Sequence, residues 1–389
     1  MKTTHYTLKI NFFSLAFLLF SSTMIAQQSI SGSFTSNGDT RSYIGAVPDN
    51  PQAPLRLVIM FTGSLEDAAQ MELRGYNNFI GSNSMVVYPE PFDTNLGFDN
   101  SAGIDDFQMV EDLIANIDSN YTINLNDICI GGFSNGGVFT YNLVCDYNSP
   151  NSTRPYTFKS FAVVSGAMEF GTTNQTDCPI ANELPVIVFH GTSDPTIPYN
   201  GGNVFFPLFI QTEAIEATVD FWANTVNSCA STPTVTALPD IDTTDGSTVE
   251  LLNYDCTTSE PTLLYRVNGG QHAWPSGNAN FDIQQNRNLD INASELISQF
   301  FEDPETLSTS DFNNTVDQIS IYPNPVNDFI SVESTYTIDK MEMFNLTGKL
   351  VMTYNQPPTR VSLEGLEQGV YLMRIHTETG VTSKKIVKK

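Results

Sequence analysis

Basic residues are scarce in this chain. It carries 17 Lys and Arg against 43 Asp and Glu. Residues 27–317 hold 36 acidic and 7 basic side chains, whereas residues 318–389 hold 7 and 8. A surface so short of cations repels nucleic acid and anionic membranes, because binding either needs clustered Lys and Arg. Nucleic acid is therefore excluded as a partner, and the acidity reads as a solubility device. Long apolar runs are lacking too. The stretch 10–20 (INFFSLAFLLF) is too short to span a bilayer comfortably, and no similar segment follows it. Lys2 and Lys9 supply positive charge around its start, and small residues follow from Ser22 to Ala26. That is the form of a secretory signal, with cleavage expected after Ala26 and no membrane span in the mature chain.

Cysteine and histidine are also few. Export permits disulfides, and the five cysteines are Cys129, Cys145, Cys178, Cys229 and Cys256. An odd count leaves one unpaired. Cys129 lies between Ile128 and Ile130, where a free thiol packs as a small hydrophobe. Pairing of the others in chain order, Cys145–Cys178 and Cys229–Cys256, is expected. The cysteines lack paired short spacings, and no Gly-Lys-Ser/Thr loop is present, so neither a metal nor a cofactor is expected. Asp240, Asp242 and Asp245 form an acidic loop without a full calcium ligand spacing, and read as a solvated turn.

What is present alternates in period. Residues 55–61 (LRLVIMF), 85–89, 128–131, 161–164, 185–190 (PVIVFH) and 262–267 are apolar runs that suit central strands covered on both faces. Residues 42–48 read as a strand followed by a turn. Between them, Ile104, Phe107, Val110, Leu113, Ile114 and Ile117 recur at helical spacing, with Asp105 and Asp106 at the positive end of the helix. A helix is expected from the glycines after residue 131 to about Cys145, and another over 212–226. Strands alternating with helices predict an α/β fold, a mostly parallel sheet with helices on both faces. Residues 304–317 read as a linker. Residues 318–389, short strands split by turn residues, predict a small antiparallel β-sandwich.

Gly132-Phe133-Ser134-Asn135-Gly136 fits Gly-x-Ser-x-Gly, with an apolar strand before it and an apolar helix after it. The chemistry explains the spacing. A nucleophilic serine needs a sharp strand-to-helix turn that projects its hydroxyl, and the glycines let strand and helix approach. The backbone N–H of Asn135, at the helix start, can face a developing oxyanion. The serine needs a base, and the base an orienting acid. The histidines are His5, His190, His272 and His376. His5 leaves with the signal, His376 lies in the tail, and His190 ends an apolar strand and reads as a packed residue. His272 remains, on a loop beyond the strand ending near Val267. Asp194 directly follows strand 185–190, at the sheet end where ligands gather, and is the expected acid. The backbone N–H of Ser64, in the loop after strand 55–61, is the expected second oxyanion donor. Trp274, Tyr199, Phe205 and Phe206 lie near these residues in sequence and are expected to stack on substrate.

Residues 27–303 resemble the extracellular esterases of the polyhydroxybutyrate depolymerase and feruloyl esterase type. The resemblance is carried by Gly132 to Gly137, by His190-Gly191-Thr192-Ser193-Asp194-Pro195 with Pro198-Tyr199-Asn200-Gly201-Gly202, and by His272-Ala273-Trp274-Pro275. It implies an α/β-hydrolase with Ser134 as nucleophile, Asp194 as orienting acid and His272 as general base. Such esterases usually carry His-Gly at the oxyanion loop, where this chain has Thr62-Gly63. Residues 318–389 resemble the C-terminal sorting domain of type IX secretion in Bacteroidetes, through Ile321-Tyr322-Pro323-Asn324-Pro325, Asn345-Leu346-Thr347-Gly348, Gly369-Val370-Tyr371 and the basic end from Lys384 to Lys389. An esterase with such a tail is also similar to the Bacteroidetes polyester hydrolases, some of which attack polyethylene terephthalate.

These resemblances imply export through the periplasm to the cell surface or medium, with the type IX secretion machinery as a partner. The expected protein is a monomeric serine esterase. Its candidate substrates are polyesters such as polyhydroxybutyrate or polyethylene terephthalate, and feruloyl or acetyl esters on polysaccharide. The opposing expectation is a non-catalytic secreted glycan-binding or adhesion protein on a hydrolase scaffold.

Overall fold

The computed structural model describes residues 27–389 apart from 100–103, 170–177, 206–208, 231, 257–259, 277–285, 305–318, 325, 335–336, 346–349, 356–357 and 378–379. The expected signal (1–26), nearly all of the expected linker and Phe206 lie outside the described residues. The chain divides into two compact units that part between residues 309 and 310.

In the larger unit, β1 (Gln27–Ser36) and β2 (Asp39–Pro48) form a hairpin. Asn37 and Gly38 turn it, both with positive φ, as a two-residue turn matched to strand twist requires. There follow β3 (Leu55–Phe61), β4 (Ser84–Pro89), β5 (Ile123–Phe133), β6 (Ser160–Val164) and β7 (Val186–Gly191). The short strands β8 (Gly202–Val204) and β9 (Ile210–Thr212) make a hairpin of their own. β10 (Thr234–Ala237), β11 (Thr248–Tyr254) and β12 (Thr262–Asn268) complete the set. Ten strands form one sheet in the order β1-β2-β4-β3-β5-β6-β7-β12-β11-β10. The six from β4 to β12 are mutually parallel, and the pairs at each edge are antiparallel.

Why the central runs are apolar almost throughout follows from their two covered faces. The short helix α1 (Ala68–Glu72) follows β3, along which Leu57, Ile59 and Phe61 join the core with α2 (Asp106–Asn120) and α3 (Asn135–Tyr147). Their neighbours Val58 and Met60 join the opposite core, with Ile297, Phe300 and Phe301 of the last helix, Ala293–Glu302. The α2 stripe is buried as its spacing predicts, from Phe107 to Ile117. Asp105 caps this helix by accepting from Gln108 N. Asp106 instead lies fully buried in an ion pair with Arg41 at 2.7 Å.

Several elements differ from expectation. The helix expected over 212–226 begins only at Ile215, because Ile210–Thr212 pairs as β9. Its second half, Phe221–Val226, widens to five-residue hydrogen bonding, with Asn227 N donating to Trp222 O. Strands β1 and β11 and the helix Ala293–Glu302 were not expected at all. β1 and β11 carry interspersed polar residues that hide a strand pattern.

The smaller unit has strands at Ile319–Tyr322, Phe329–Ser334, Ile338–Asn345, Leu350–Asn355, Arg360–Ser362, Gly369–Thr377 and Gly380–Lys388. They form a three-stranded and a four-stranded antiparallel sheet. Ile330, Val332 and Val361 from one sheet share a core with Met341, Met373, Ile375 and Ile386 from the other.

Candidate active site

Ser134 stands between the end of β5 and the start of α3, with φ 54° and ψ −118°. A non-glycine residue avoids this region, at a cost of about 1–3 kcal/mol. The surrounding backbone holds it there. Ser134 N donates to Val164 O at 3.0 Å, and Ser134 O accepts from Gly137 N and Val138 N, each at 3.0 Å. Two glycines make the turn possible. A Cβ on Gly132 would sit 2.1 Å from Gly136 O, and one on Gly136 would sit 2.3 Å from Phe61 O. Any side chain there would drive strand and helix apart.

The three side chains expected to act together meet. Ser134 Oγ lies 2.8 Å from His272 Nε2, and His272 Nδ1 lies 2.8 Å from Asp194 Oδ2. A carboxylate accepts, so Nδ1 carries the proton and Nε2 of the neutral ring is free to accept from the serine hydroxyl. Asp194 follows β7 in a tight turn, where Oδ1 accepts from Thr196 N at 2.8 Å and Ile197 N at 2.9 Å. That leaves Oδ2 for histidine. Burial alone would raise the pKa of Asp194. Hydrogen bonds from His190 and His272, with the favourable electrostatics of both imidazoles beside it, hold the carboxyl well below the usual carboxylate range. The histidine loop is tied on both sides: Ser193 N donates to Gly270 O and Gln271 N to Asn286 O, each at 3.0 Å. The Phe133 ring lies against His272, with centroids 5.1 Å apart.

The two backbone donors proposed from the sequence flank this serine. The Cβ position of Gly63 is 3.1 Å from Ser134 Cβ, which brings the loop after β3 up to the nucleophile. Gly63 N is taken by Glu66 Oε2, and Leu65 N by Thr94 O. Ser64 N and Asn135 N have no hydrogen-bond partner among the described residues. The Asn135 side chain has a separate task. Its Oδ1 accepts from Phe98 N at 2.7 Å and its Nδ2 donates to Phe98 O at 3.2 Å, fixing the loop after β4 against the elbow.

Two expected substrate contacts are corrected. Trp274 is completely buried, and its Nε1 donates to Ser294 Oγ at 3.1 Å. Tyr199 is 8% exposed, donates to Glu216 at 2.8 Å and packs edge-on against His190. Both therefore serve the core, and sequence proximity to the site misled. Phe205 is 72% exposed at the end of β8. The acidic loop is self-satisfied. Asp242 accepts from Thr244, and Asp245 accepts from Ser247 and from Leu289 N.

The disulfides are Cys145–Cys178 and Cys229–Cys256, the pairing in chain order. Cys129 is a buried free thiol whose pKa burial pushes up to about 11. Sequence reading missed three contributors: the bond of His190 to Asp194, the side-chain role of Asn135, and the pair Glu66–Arg74. For His190 a signal existed, its place four residues before Asp194 at the end of the same strand.

The sheet order, with its parallel centre and a serine at the β5–α3 elbow, defines an α/β-hydrolase fold. Residues 92–224 match the family described as Phospholipase/Carboxylesterase. Residues 320–389 match the Secretion system C-terminal sorting domain, which marks the chain for export to the cell surface or beyond it. Among the described residues no helix is long and apolar enough to cross a membrane.

Curated relatives include Probable feruloyl esterase C of Aspergillus clavatus, 28% identical over 32% of this chain and 42% of the relative. Feruloyl esterase D of Neurospora crassa is 26% identical over 41% of this chain and 54% of the relative. The chain thus spans well under two thirds of the length of these relatives. Among solved structures, an acetyl xylan esterase from Aspergillus awamori aligns with a TM-score of 0.43 and 14% identity, over 71% of this chain and 99% of that one. At those values it adds nothing to the fold already described.

Proposed function

We propose that this protein is a secreted serine carboxylic-ester hydrolase acting on polymer-linked esters. The observation that carries the reading is the chain of two 2.8 Å contacts from Ser134 through His272 to Asp194, at a strained elbow beside two amides that have no partner among the described residues. In this reading His272 takes the Ser134 proton as the hydroxyl attacks the ester carbonyl. Asp194 keeps the imidazole in the required tautomer and stabilises its charge. The N–H groups of Ser64 and Asn135 stabilise the tetrahedral oxyanion. His272 then protonates the leaving alcohol, and water cleaves the acyl-enzyme by the same route.

The substrate class follows from the relatives' names and from the export signal of the tail. Feruloyl esters on polysaccharide come first, with acetyl esters and polyesters, aliphatic or aromatic, as further candidates. In the same reading residues 1–26 are a cleaved signal, residues 304–317 join the two units, the tail is handled by the type IX machinery, and the mature protein is a monomer. Ser134→Ala is the test: it should abolish hydrolysis of a short p-nitrophenyl ester and labelling by a fluorophosphonate. Wild-type protein that is folded yet neither turns over such esters nor takes the label would favour a non-catalytic binding protein. Release of ferulate, acetate or polyester monomers from a substrate panel discriminates among the substrates.

A further inference from the structure

The loop after β3 is held by a side chain that the reaction scheme does not use. Glu66 Oε2 accepts from Thr62 Oγ1 at 3.0 Å and from Gly63 N at 3.3 Å. Its other oxygen, Oε1, accepts from Arg74 Nη2 at 2.8 Å. The Arg74 side chain is only 2% exposed and that of Glu66 16%. The guanidinium lies 4.2 Å from the centre of the Phe133 ring, next to Ser134 in sequence, and 5.7 Å from the ring of Trp274, two residues beyond His272. One ion pair therefore touches the oxyanion loop, the nucleophile turn and the histidine loop.

We infer that Glu66 and Arg74 are positioning residues for the oxyanion loop, and the inference rests on the esterase reading. Glu66 occupies the Gly63 amide and the Thr62 hydroxyl, while Thr94 O occupies Leu65 N. Of the three successive amides, Ser64 N is the one without a partner among the described residues, and it is left to meet an oxyanion. A carboxylate this close would oppose negative charge on the substrate, and the Arg74 guanidinium neutralises it at salt-bridge distance. Burial raises the pKa of Glu66, but the interaction with Arg74 and the bonds from Thr62 and Gly63 outweigh it and keep the group ionised. The tolerance is small, since the Gly63 Cβ position is already 3.1 Å from Ser134 Cβ.

The test uses the full chain with Thr62→Val, Thr62→Ser and Glu66→Gln. Each variant is assayed for p-nitrophenyl ester turnover and for inhibition by a trifluoromethyl ketone. Attack of Ser134 Oγ on that ketone gives a hemiketal whose oxyanion needs the same donors, with the hydroxyl proton passing to His272. Losing a donor outright lowers kcat by about 100-fold or more, so a displaced one should lower it by about tenfold. Thr62→Val and Glu66→Gln should show that loss with KM changed less than about twofold and with ketone affinity reduced in parallel. Thr62→Ser, which keeps the hydroxyl, should restore both. Thr62→Val decides the matter if Glu66→Gln does not fold. Unchanged kcat and ketone affinity in Thr62→Val would overturn the inference, as would equal losses in Thr62→Val and Thr62→Ser. Wild-type protein without turnover or fluorophosphonate labelling would remove the esterase reading itself, and this inference with it.

Discussion

His190 Nε2 lies 3.3 Å from Asp194 Oδ2, the same carboxylate oxygen that accepts from His272. Both side chains are fully buried. His190 Nε2 also contacts Ile197 O at 2.9 Å, which fixes the proton on that nitrogen, since a carbonyl can only accept. Asp194 is thus gripped by two imidazoles and two backbone amides. A hydrogen bond to a charged group contributes about 1.5 kcal/mol, about tenfold in rate where it serves the transition state. His190→Phe should lower kcat by about that factor and leave KM nearly unchanged, measured on a soluble ester. A change confined to KM, or none, would show that His190 only fills space.

The depressed pKa of Asp194 makes a statement about stability as well as catalysis. A group whose folded pKa lies below its unfolded value stabilises the protein above the unfolded value, about 3.9 for Asp. That contribution disappears as pH falls toward the folded pKa. Wild-type protein should therefore lose melting temperature more steeply below pH about 4 than Asp194→Asn, which has no such ionisation to lose. Melting curves from pH 7 to pH 3 check this, and parallel slopes for the two proteins would refute it. At pH 7 the same variant should lose about 10⁴-fold in kcat, because the amide favours the wrong histidine tautomer.

Much of this arrangement was legible because the sequence offered few alternatives. The elbow announced itself through Gly132 and Gly136, whose Cβ positions are occupied by backbone. Only four histidines had to be sorted. The central strands showed as mainly apolar runs because both faces are covered. Other features stayed hidden for physical reasons. Trp274 and Tyr199 sit close to the site in sequence, but proximity does not say which way a ring faces. Glu66 and Arg74 pair across a short helix (Ala68–Glu72), and Arg74 meets Phe133 only once the sheet has formed. The edge strand β1 mixes polar with apolar residues, so its pattern resembled a loop.

The disulfide Cys145–Cys178 closes a span of 33 residues between the end of α3 and the segment before β7. Cys229–Cys256 closes one of 27. Loop-closure entropy assigns bridges of these spans about 3.6 kcal/mol each. Paired Cys145→Ser and Cys178→Ser substitutions should reduce unfolding free energy in urea by about that amount. Esterase turnover of the remaining folded protein should hold, because neither cysteine contacts Ser134, Asp194 or His272 among the described residues. Free Cys129, buried and with a raised pKa, should stay unreactive toward thiol reagents until the protein unfolds.

Trp274 supplies the sharpest test of what belongs to substrate and what belongs to the core. Its indole N–H donates to Ser294 Oγ, and Ser294 Oγ donates onward to Arg74 O at 2.8 Å. The ring lies edge-on to Phe133, with centroids 6.2 Å apart, and the Arg74 guanidinium lies 5.7 Å from its centre. Trp274→Phe keeps an aromatic ring but removes the donor and leaves a gap. It should destabilise the protein by about 2 kcal/mol through the cavity and the lost bond. KM for aromatic and aliphatic esters should move together, if at all, because no face of the indole reaches solvent. A selective rise in KM for feruloyl or other aromatic esters, with stability unchanged, would return Trp274 to the substrate side. Urea unfolding combined with kinetics on matched aryl and alkyl esters separates the two outcomes.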